Sequence, residues 1–534
     1  MSTLAGTRSL VRLILRRDRF LLPIWVLWLA ILPIQTALAT DQLFPTAQAR
    51  REYFDTIAAN PGLVGFLGPV FNASLGALTA WRVGVAFVVV GLLSLLTVIR
   101  HTRTDEEAGR RELLGSTVVG RRAPLAAALL VTFAADLLLA AILTLGMTAI
   151  GLPLAGSLAL GLSLVAAGWM FAAVGAVAAQ LTDGPGGARG IAVGALGLAF
   201  LLRAAGDAGG QDGSLSWLSW ASPLGLAQRA RPYAGERWWV LAVAAGLVVL
   251  LVAAAVALLS RRDVGAGILP TRLGRATAAP GLRSPLALAW RLHRGMLLGW
   301  TAGFALGGVV IGGVANSTSD MAAQSAQLQT IIERLGGGAR IADAYLAAVM
   351  GLLGVAAAGY ATQATLRLRA EEEALRADQV LATPAGRLSW AASHLVFGVT
   401  GPAAALVGFG LTAGLVHGLL EGDVSGQLPR VLAGALVQLL AVWVLCGIAT
   451  AVFGLLPRLV PVAWGALAVF GFLALLGPLL RLDQVVMDVS PFSHVPKLPG
   501  GQVSLAPLLW LLGLAVVLGA AGLRGFRRRD VGVA

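Results

Sequence analysis

Twelve stretches of about 20 mostly apolar residues follow one another along the chain, each long enough to cross a bilayer as a helix. They lie near 20–39, 79–99, 123–147, 153–180, 189–206 and 237–259, then near 296–315, 344–365, 389–417, 430–456, 459–480 and 505–523. Backbone groups in lipid must be satisfied within the protein, so such runs are expected to be helices. Composition agrees: 57% of the 534 residues are hydrophobic and 12% charged, about half the ~25% of a soluble domain. The 68 glycines suit helices that pack closely in lipid. A soluble multidomain enzyme, a disordered chain and a fibre are excluded. The expectation is an all-α polytopic membrane protein of about twelve transmembrane helices.

The net charge of +14 invites a nucleic-acid reading until it is sorted by side. With the N-terminus inside, the cytoplasmic segments hold 28 basic and 12 acidic residues, the outer segments 12 and 13, and Asp136 sits within a span. That is the positive-inside bias, and it leaves no basic surplus for nucleic acid. Both termini are then cytoplasmic. The N-terminal basic region, apolar run and Ala37-Leu38-Ala39 imitate a cleaved signal, but a run of ~20 residues exceeds the usual 7–15. Arg16-Arg17 imitates a twin-arginine signal only faintly.

Cys446 is the only cysteine, five histidines lack ligand spacing, and Lys497 is the only lysine. A Walker A loop, whose glycine-rich backbone precedes Gly-Lys-Ser/Thr, is absent. The sequence therefore predicts no metal site, no cofactor in this chain and no ATP hydrolysis by that route.

Internal repetition organises the rest. Arg8, Arg16, Arg19 and Trp25 recur 275 positions later as Arg283, Arg291, Arg294 and Trp300. The segment 105–121 matches 371–387 at offset 266: Glu106 falls on Glu372, Glu107 on Glu373, Arg110 on Arg376, Glu112 on Asp378, and Gly120-Arg121 on Gly386-Arg387. Ser222-Pro223 then answers Ser490-Pro491, and Arg261-Arg262-Asp263-Val264-Gly265 answers Arg528-Arg529-Asp530-Val531-Gly532. The chain reads as two parallel six-span halves, 1–265 and 266–534, related by an axis along the membrane normal.

Between spans 2 and 3 of each half lies a cytoplasmic loop dense in mixed charge. Glu106 and Arg110, like Glu372 and Arg376, stand four apart, the spacing at which acid and base meet on a helix. Arg121 and Arg387 are expected at the lipid headgroups. A solvated charged loop is the plain reading, but duplicated acids argue against it because acids contribute little to orientation. Two charged helices presented below the membrane suit a two-fold partner. Major-facilitator transporters also carry Asp and Gly-Arg-Arg here; Asp105 and Gly109-Arg110-Arg111 fit, whereas Leu375-Arg376-Ala377 does not.

The EExGRxELL…VxGR loop, the arginine-rich amphipathic lead-in, SPLG…RPYAGERWW (222–239) and RRDVG together resemble an actinobacterial ABC exporter permease. The resemblance is to the group named exporters of polyketide antibiotics, within the type-2 ABC permease superfamily, in a fused two-half form. It covers essentially the whole chain. It implies connecting helices near 8–19 and 283–294, coupling helices near 105–118 and 371–384, and outer helical segments near 207–236 and 481–504. It also implies a separate ATPase subunit in two copies, holding the ATP and magnesium. The residues that would carry coupling are Glu106, Glu107, Arg110, Glu112 and Arg121, with Glu372, Glu373, Arg376, Asp378 and Arg387. Leu375 departs from the motif glycine and Asp378 from its glutamate, which puts the equivalence of the two docking sites in doubt.

Asp136, in the middle of span 3, is costly in lipid and so a candidate for the substrate path, or else a protonated or hydrogen-bonded structural acid. Its repeat mate is Pro402, so it lies outside the duplicated machinery. Arg203 and His417 are expected to snorkel at outer ends. Trp81, Trp217, Trp220, Trp238 and Trp239 form an outer aromatic belt, and Trp290, Trp300 and Trp390 an inner one. GxxxG pairs at Gly190/Gly194, Gly303/Gly307 and Gly308/Gly312 permit close helix approach. The expected function is export of hydrophobic or amphipathic small molecules, with a proton-driven facilitator as alternative and a membrane-embedded transferase a distant third.

Overall fold

In the computed structural model, residues 3–110, 118–208, 210, 213–269, 277, 280–323, 341–477 and 482–530 are described. Every regular element among them is helical, and eleven helices are long and apolar enough to cross a membrane. The expectation of an all-α polytopic protein is borne out. The eleventh predicted span, 459–480, is represented by Pro461–Leu476, 16 residues and about 24 Å long at 1.5 Å per residue. It falls short of the ~30 Å hydrocarbon core. Pro457, which opens a 3₁₀ turn over Pro457–Leu459, ends the preceding helix at Leu455.

The chain divides into two compact units, Met1–Leu273 and Gly274–Ala534. In the first, the Leu154–Leu181 helix is the most enclosed, with Gly175 against the backbone of Leu95 and Gly168 against the Asp136 carboxylate. In the second, the Val424–Leu455 stretch takes that place, with Gly447 and Gly454 against Ala515 and Gly522 of the last helix. Small residues at these crossings let helix backbones approach, where lipid supplies no hydrophobic drive of its own. Of the GxxxG pairs, Gly308/Gly312 meets Phe409 and Ala413, whereas Gly190/Gly194 and Gly303/Gly307 face open space.

The two lead-in segments differ. Thr7–Arg17 is a separate amphipathic helix, burying Leu10 and Ile14 and exposing Arg8, Arg12 and Arg16. The chain breaks at 18–20 before the Leu21–Leu43 span. Buried Asp18 fixes that break: its carboxylate lies 2.6 Å from His101 Nε2 and 3.0 Å from an Arg100 nitrogen. At offset 275 the Asp18 position holds His293, which shares a 3.0 Å hydrogen bond with His394 and stacks on Phe397. No break occurs there. The expected second connecting helix, 283–294, is instead continuous with its span in one helix, Pro285–Ala323.

The outer side of the first unit carries short helices the hydropathy pattern did not reveal, Ala47–Ala58 and Pro61–Leu67, joined by Trp217–Ala221 and Pro223–Gln228. The second unit has Gln484–Met487 and a 3₁₀ turn at Pro491–His494. The duplicated Ser-Pro motif has a shared task. Ser222 donates to the Ala199 carbonyl and Ser490 to that of Phe470, each tying the outer segment to the span before it.

Candidate functional site

The helix of span 2 does not stop at the membrane face. In the first unit it continues from Ile99 through a π segment, Arg100–Thr104, into Asp105–Glu107. In the second, one helix runs from Ile341 to Glu373. Both end on the same turn: the Gly109 N–H donates to the Glu106 carbonyl, and the Leu375 N–H to that of Glu372. Gly109 and Leu375 both adopt left-handed backbone, with φ of 69° and 54°. The leucine that departs from the motif glycine therefore keeps the glycine's conformation. After it, Arg376–Leu381 forms a short exposed helix. Its counterpart includes Glu112, which lies outside the described residues.

The expected i,i+4 pairs do not form. Arg110 reaches Asp105 at 2.6 Å, and Arg376 reaches Glu371, the repeat mate of Asp105, at 2.7 Å. The turn folds the helix start back onto the first acid of each triplet. The second acid is thereby aimed inward. Glu106 and Glu372 are buried, while Glu107, Glu373 and Asp378 are exposed.

Glu106 lies in a network that joins the repeated loop to the RRDVG tail. Arg262, of the RRDVG tail, donates to both of its carboxylate oxygens at 2.8 Å, Arg103 stands 3.0 Å away, and the Gly265 N–H donates at 2.7 Å. Arg262 also donates to Gln180 at 2.7 Å and to the Ala266 carbonyl at 2.9 Å. Arg121 donates to the carbonyls of Leu259, at 3.0 Å, and Arg262, so it clasps the tail instead of resting at the headgroups. Such a bidentate guanidinium–carboxylate pair is strong because both charges keep full hydrogen bonding when buried.

The second unit repeats the arrangement with substitutions. Arg529 donates to Glu372 at 2.8 Å, Arg369 lies 3.4 Å from it, and Arg387 donates to the Arg529 carbonyl at 2.9 Å. Arg103, Arg121 and Arg262 thus correspond to Arg369, Arg387 and Arg529. The second clasp is wetter: the Arg262 side chain is 3% exposed and that of Arg529 16%. Where the first has Gln180, the second stacks Arg529 over Phe453 and Phe526. The sequence presented these acids as a docking surface. In the structure Glu106 and Glu372 are instead buried, tying the turn to the end of each half's last helix.

Asp136 is 1% exposed, accepts from the Ser94 hydroxyl at 3.1 Å and abuts Gly168, within helix packing of the first unit. Arg203 does not snorkel; it is buried and donates to the carbonyls of Gly65 (2.9 Å) and Phe66 (2.7 Å), pinning the outer helices. His417 is buried, 3.7 Å from Glu421. Trp81 and Trp390 are buried, unlike exposed Trp217, Trp238, Trp239 and Trp290. Trp81 donates to the Gly68 carbonyl at 2.9 Å. Tyr233, of the RPYAGERWW motif, donates to Ser157 at 2.9 Å, and burial pushes its hydroxyl up to about 12, so it stays a donor at physiological pH. Among the described residues no group of three or more His, Cys, Asp or Glu is placed to hold a metal ion.

The family described as "Multidrug efflux system permease Rv1217c, C-terminal domain" matches residues 282–527. The multidrug efflux system permease protein Rv1217c of Mycobacterium tuberculosis (strain ATCC 25618 / H37Rv) is 45% identical over 532 residues, which span 99% of this chain and 96% of that protein.

Proposed function

The chain belongs to the family of the multidrug efflux permease Rv1217c, and from that membership we propose that it is the membrane subunit of an ATP-driven ABC exporter. It is a multi-pass plasma-membrane efflux permease, a transport subunit and not an enzyme. A separate ATPase, bound in two copies, supplies the ATP and magnesium chemistry. The substrates are hydrophobic or amphipathic small molecules, since the spans offer little fixed charge to hold an ion. Polyketide or ionophore antibiotics are the class the sequence resemblance suggests.

One observation carries this reading: an exposed charged turn at the end of span 2, present twice and each time anchored by a buried Glu to the end of the half's last helix. A push on the turn at 105–110 or 371–381 is transmitted to two membrane helices at once. The docking charges are those left outside: Glu107 and Arg110 in the first half, and Glu373, Arg376 and Asp378 in the second.

The test is charge reversal at the exposed acids, Glu107→Arg with Glu373→Arg, in the chain co-expressed with a neighbouring Walker A ATPase. Export and substrate-stimulated ATP hydrolysis should fall at least tenfold with unchanged thermal stability, because neither side chain is buried. Full transport by that double variant would contradict docking. Export by the purified chain alone, down a proton gradient, would replace the proposal with the facilitator reading.

A further inference from the structure

The difference between the two lead-in segments leaves a space in the second half that the first half fills. In the first, the Thr7–Arg17 helix lies across the Ala123–Ala149 helix, and the hollow beneath it, closed by His101, Thr102, Asp105 and Pro124, is only about 40 Å³. In the second, the lead-in stays straight within Pro285–Ala323, and an open groove of about 700 Å³ runs between it and the Arg387–Glu421 helix. Its walls are apolar, formed by Ala287, Trp290 and Phe397 with Thr400 further along. Trp290 is 51% exposed at its rim. Arg291 and Arg294, one helical turn apart, stand at the same groove, and neither has an acidic partner among the described residues.

We propose that this groove is a binding site for an anionic phospholipid of the inner leaflet, its acyl chains on Ala287, Trp290 and Phe397 and its phosphate on Arg291 and Arg294. The charge bias of the chain puts this end of the helix on the cytoplasmic side, where basic pockets between transmembrane helices meet anionic headgroups. Guanidinium forks match phosphate oxygens in geometry as well as charge. Exposed Trp290 sits where an interfacial ring is most favourable. A zwitterionic lipid would fill the apolar part equally well but would leave the two guanidinium groups facing an ammonium group as well as a phosphate. The site is independent of the ATPase reading above, since it needs only the membrane.

The experiment places the full-length chain in phosphatidylcholine nanodiscs with trace phosphatidylglycerol carrying a photoreactive acyl chain, and in parallel with the same label on phosphatidylcholine. Phosphatidylglycerol adducts should map to peptides 281–294 and 396–400, at least tenfold above phosphatidylcholine adducts. Arg291→Gln with Arg294→Gln should weaken phosphatidylglycerol binding about 30-fold, which is ~2 kcal/mol for two surface arginines at ~1.4 kcal/mol per decade. Thr400→Trp, which narrows the groove, should remove labelling by both lipids with little change in melting temperature. Equal labelling by the two lipids, or labelling indifferent to the double glutamine variant, would overturn the proposal. So would displacement of the label by an anionic amphipathic dye at the concentration that saturates its export, which would reassign the groove to transported substrate. Deletion of 266–280 raising both labels equally would give the groove to the chain's own linker and equally sink the lipid assignment.

Discussion

Arg262→Ala should destabilise the first half far more than Arg529→Ala destabilises the second, although the two arginines are repeat mates. Arg262 is 3% exposed and Glu106 2%, so water screens their attraction very little. Removing the guanidinium leaves Glu106 buried with Arg103 and the Gly265 N–H, and it strips Gln180 and the Ala266 carbonyl of a donor. Breaking a buried pair from one side costs about 3–5 kcal/mol, and the surviving Arg103 places the cost near the lower end, ~3 kcal/mol. The Arg529 side chain is 16% exposed, and its loss admits water to Glu372; that discount brings the cost to about 1.5 kcal/mol. For units of this size 1 kcal/mol moves the melting temperature by roughly 2–4 °C, giving about 6–12 °C against about 3–6 °C. Scanning fluorimetry in one detergent at one scan rate compares them, because membrane-protein unfolding is commonly irreversible and scan-rate dependent. Adding Arg262→Ala to Glu106→Gln should cost less than the sum of the two single changes, because either one alone already breaks the same buried pair. Strict additivity of the two changes, or equal losses in the two halves, would refute the argument that buried charge pairing holds the clasp.

Two further substitutions test the packing directly. Leu375 holds a left-handed backbone at φ 54° and its side chain is 61% exposed, so Leu375→Gly should stabilise the second half by about 1 kcal/mol, whereas Gly109→Leu should cost the first about as much. A drop in melting temperature for Leu375→Gly would show that the leucine contributes contacts outweighing its strain. Gly168→Ala should cost about 1–3 kcal/mol, because its new methyl meets the Asp136 carboxylate, and Asp136→Ala in the same chain should relieve most of that. Unchanged stability in Gly168→Ala alone would mean that the Leu154–Leu181 helix can shift freely.

Much of this architecture is legible in the sequence because length and hydropathy alone define a spanning helix. The predicted runs and the observed helices agree wherever a full-length span exists, and they part at 459–480, where Pro457 and the following residues leave 16 helical ones. The outer helices Ala47–Ala58 and Pro61–Leu67 were missed because they are neither long nor uniformly apolar. Their start signals were nevertheless present. Thr46 and Asn60 accept from the N–H groups of Ala49 and Leu63, and Pro61 follows as a favoured first helical residue. Snorkelling was expected of Arg203 because a charge near a span end usually finds water; here the carbonyls of Gly65 and Phe66 substitute for it.

The repeated loop was legible as residues but not as geometry. Spacing put Glu106 beside Arg110 and Glu372 beside Arg376, as though the helix ran on. A left-handed residue at 109 and 375 ends the helix first, and the reversal exchanges partners: Asp105 and Glu371 take the nearby arginine, while Glu106 and Glu372 turn inward to arginines 156 and 157 positions away. No helical periodicity contains a contact of that separation. The signal that did contain it was the repeat itself. RRD recurring at 261–263 and 528–530, in step with EE at 106–107 and 372–373 and with GR at 120–121 and 386–387, preserves the partners of one contact in both copies. Two copies that diverge elsewhere yet keep the three elements of a clasp are constrained by the clasp. The elements they do not share follow from Asp18 and His293: an acid that His101 and Arg100 draw inward breaks the first lead-in, and an imidazole that pairs with His394 leaves the second one straight. The halves therefore have one way of anchoring the turn at the end of span 2 and two ways of joining the lead-in to the first span.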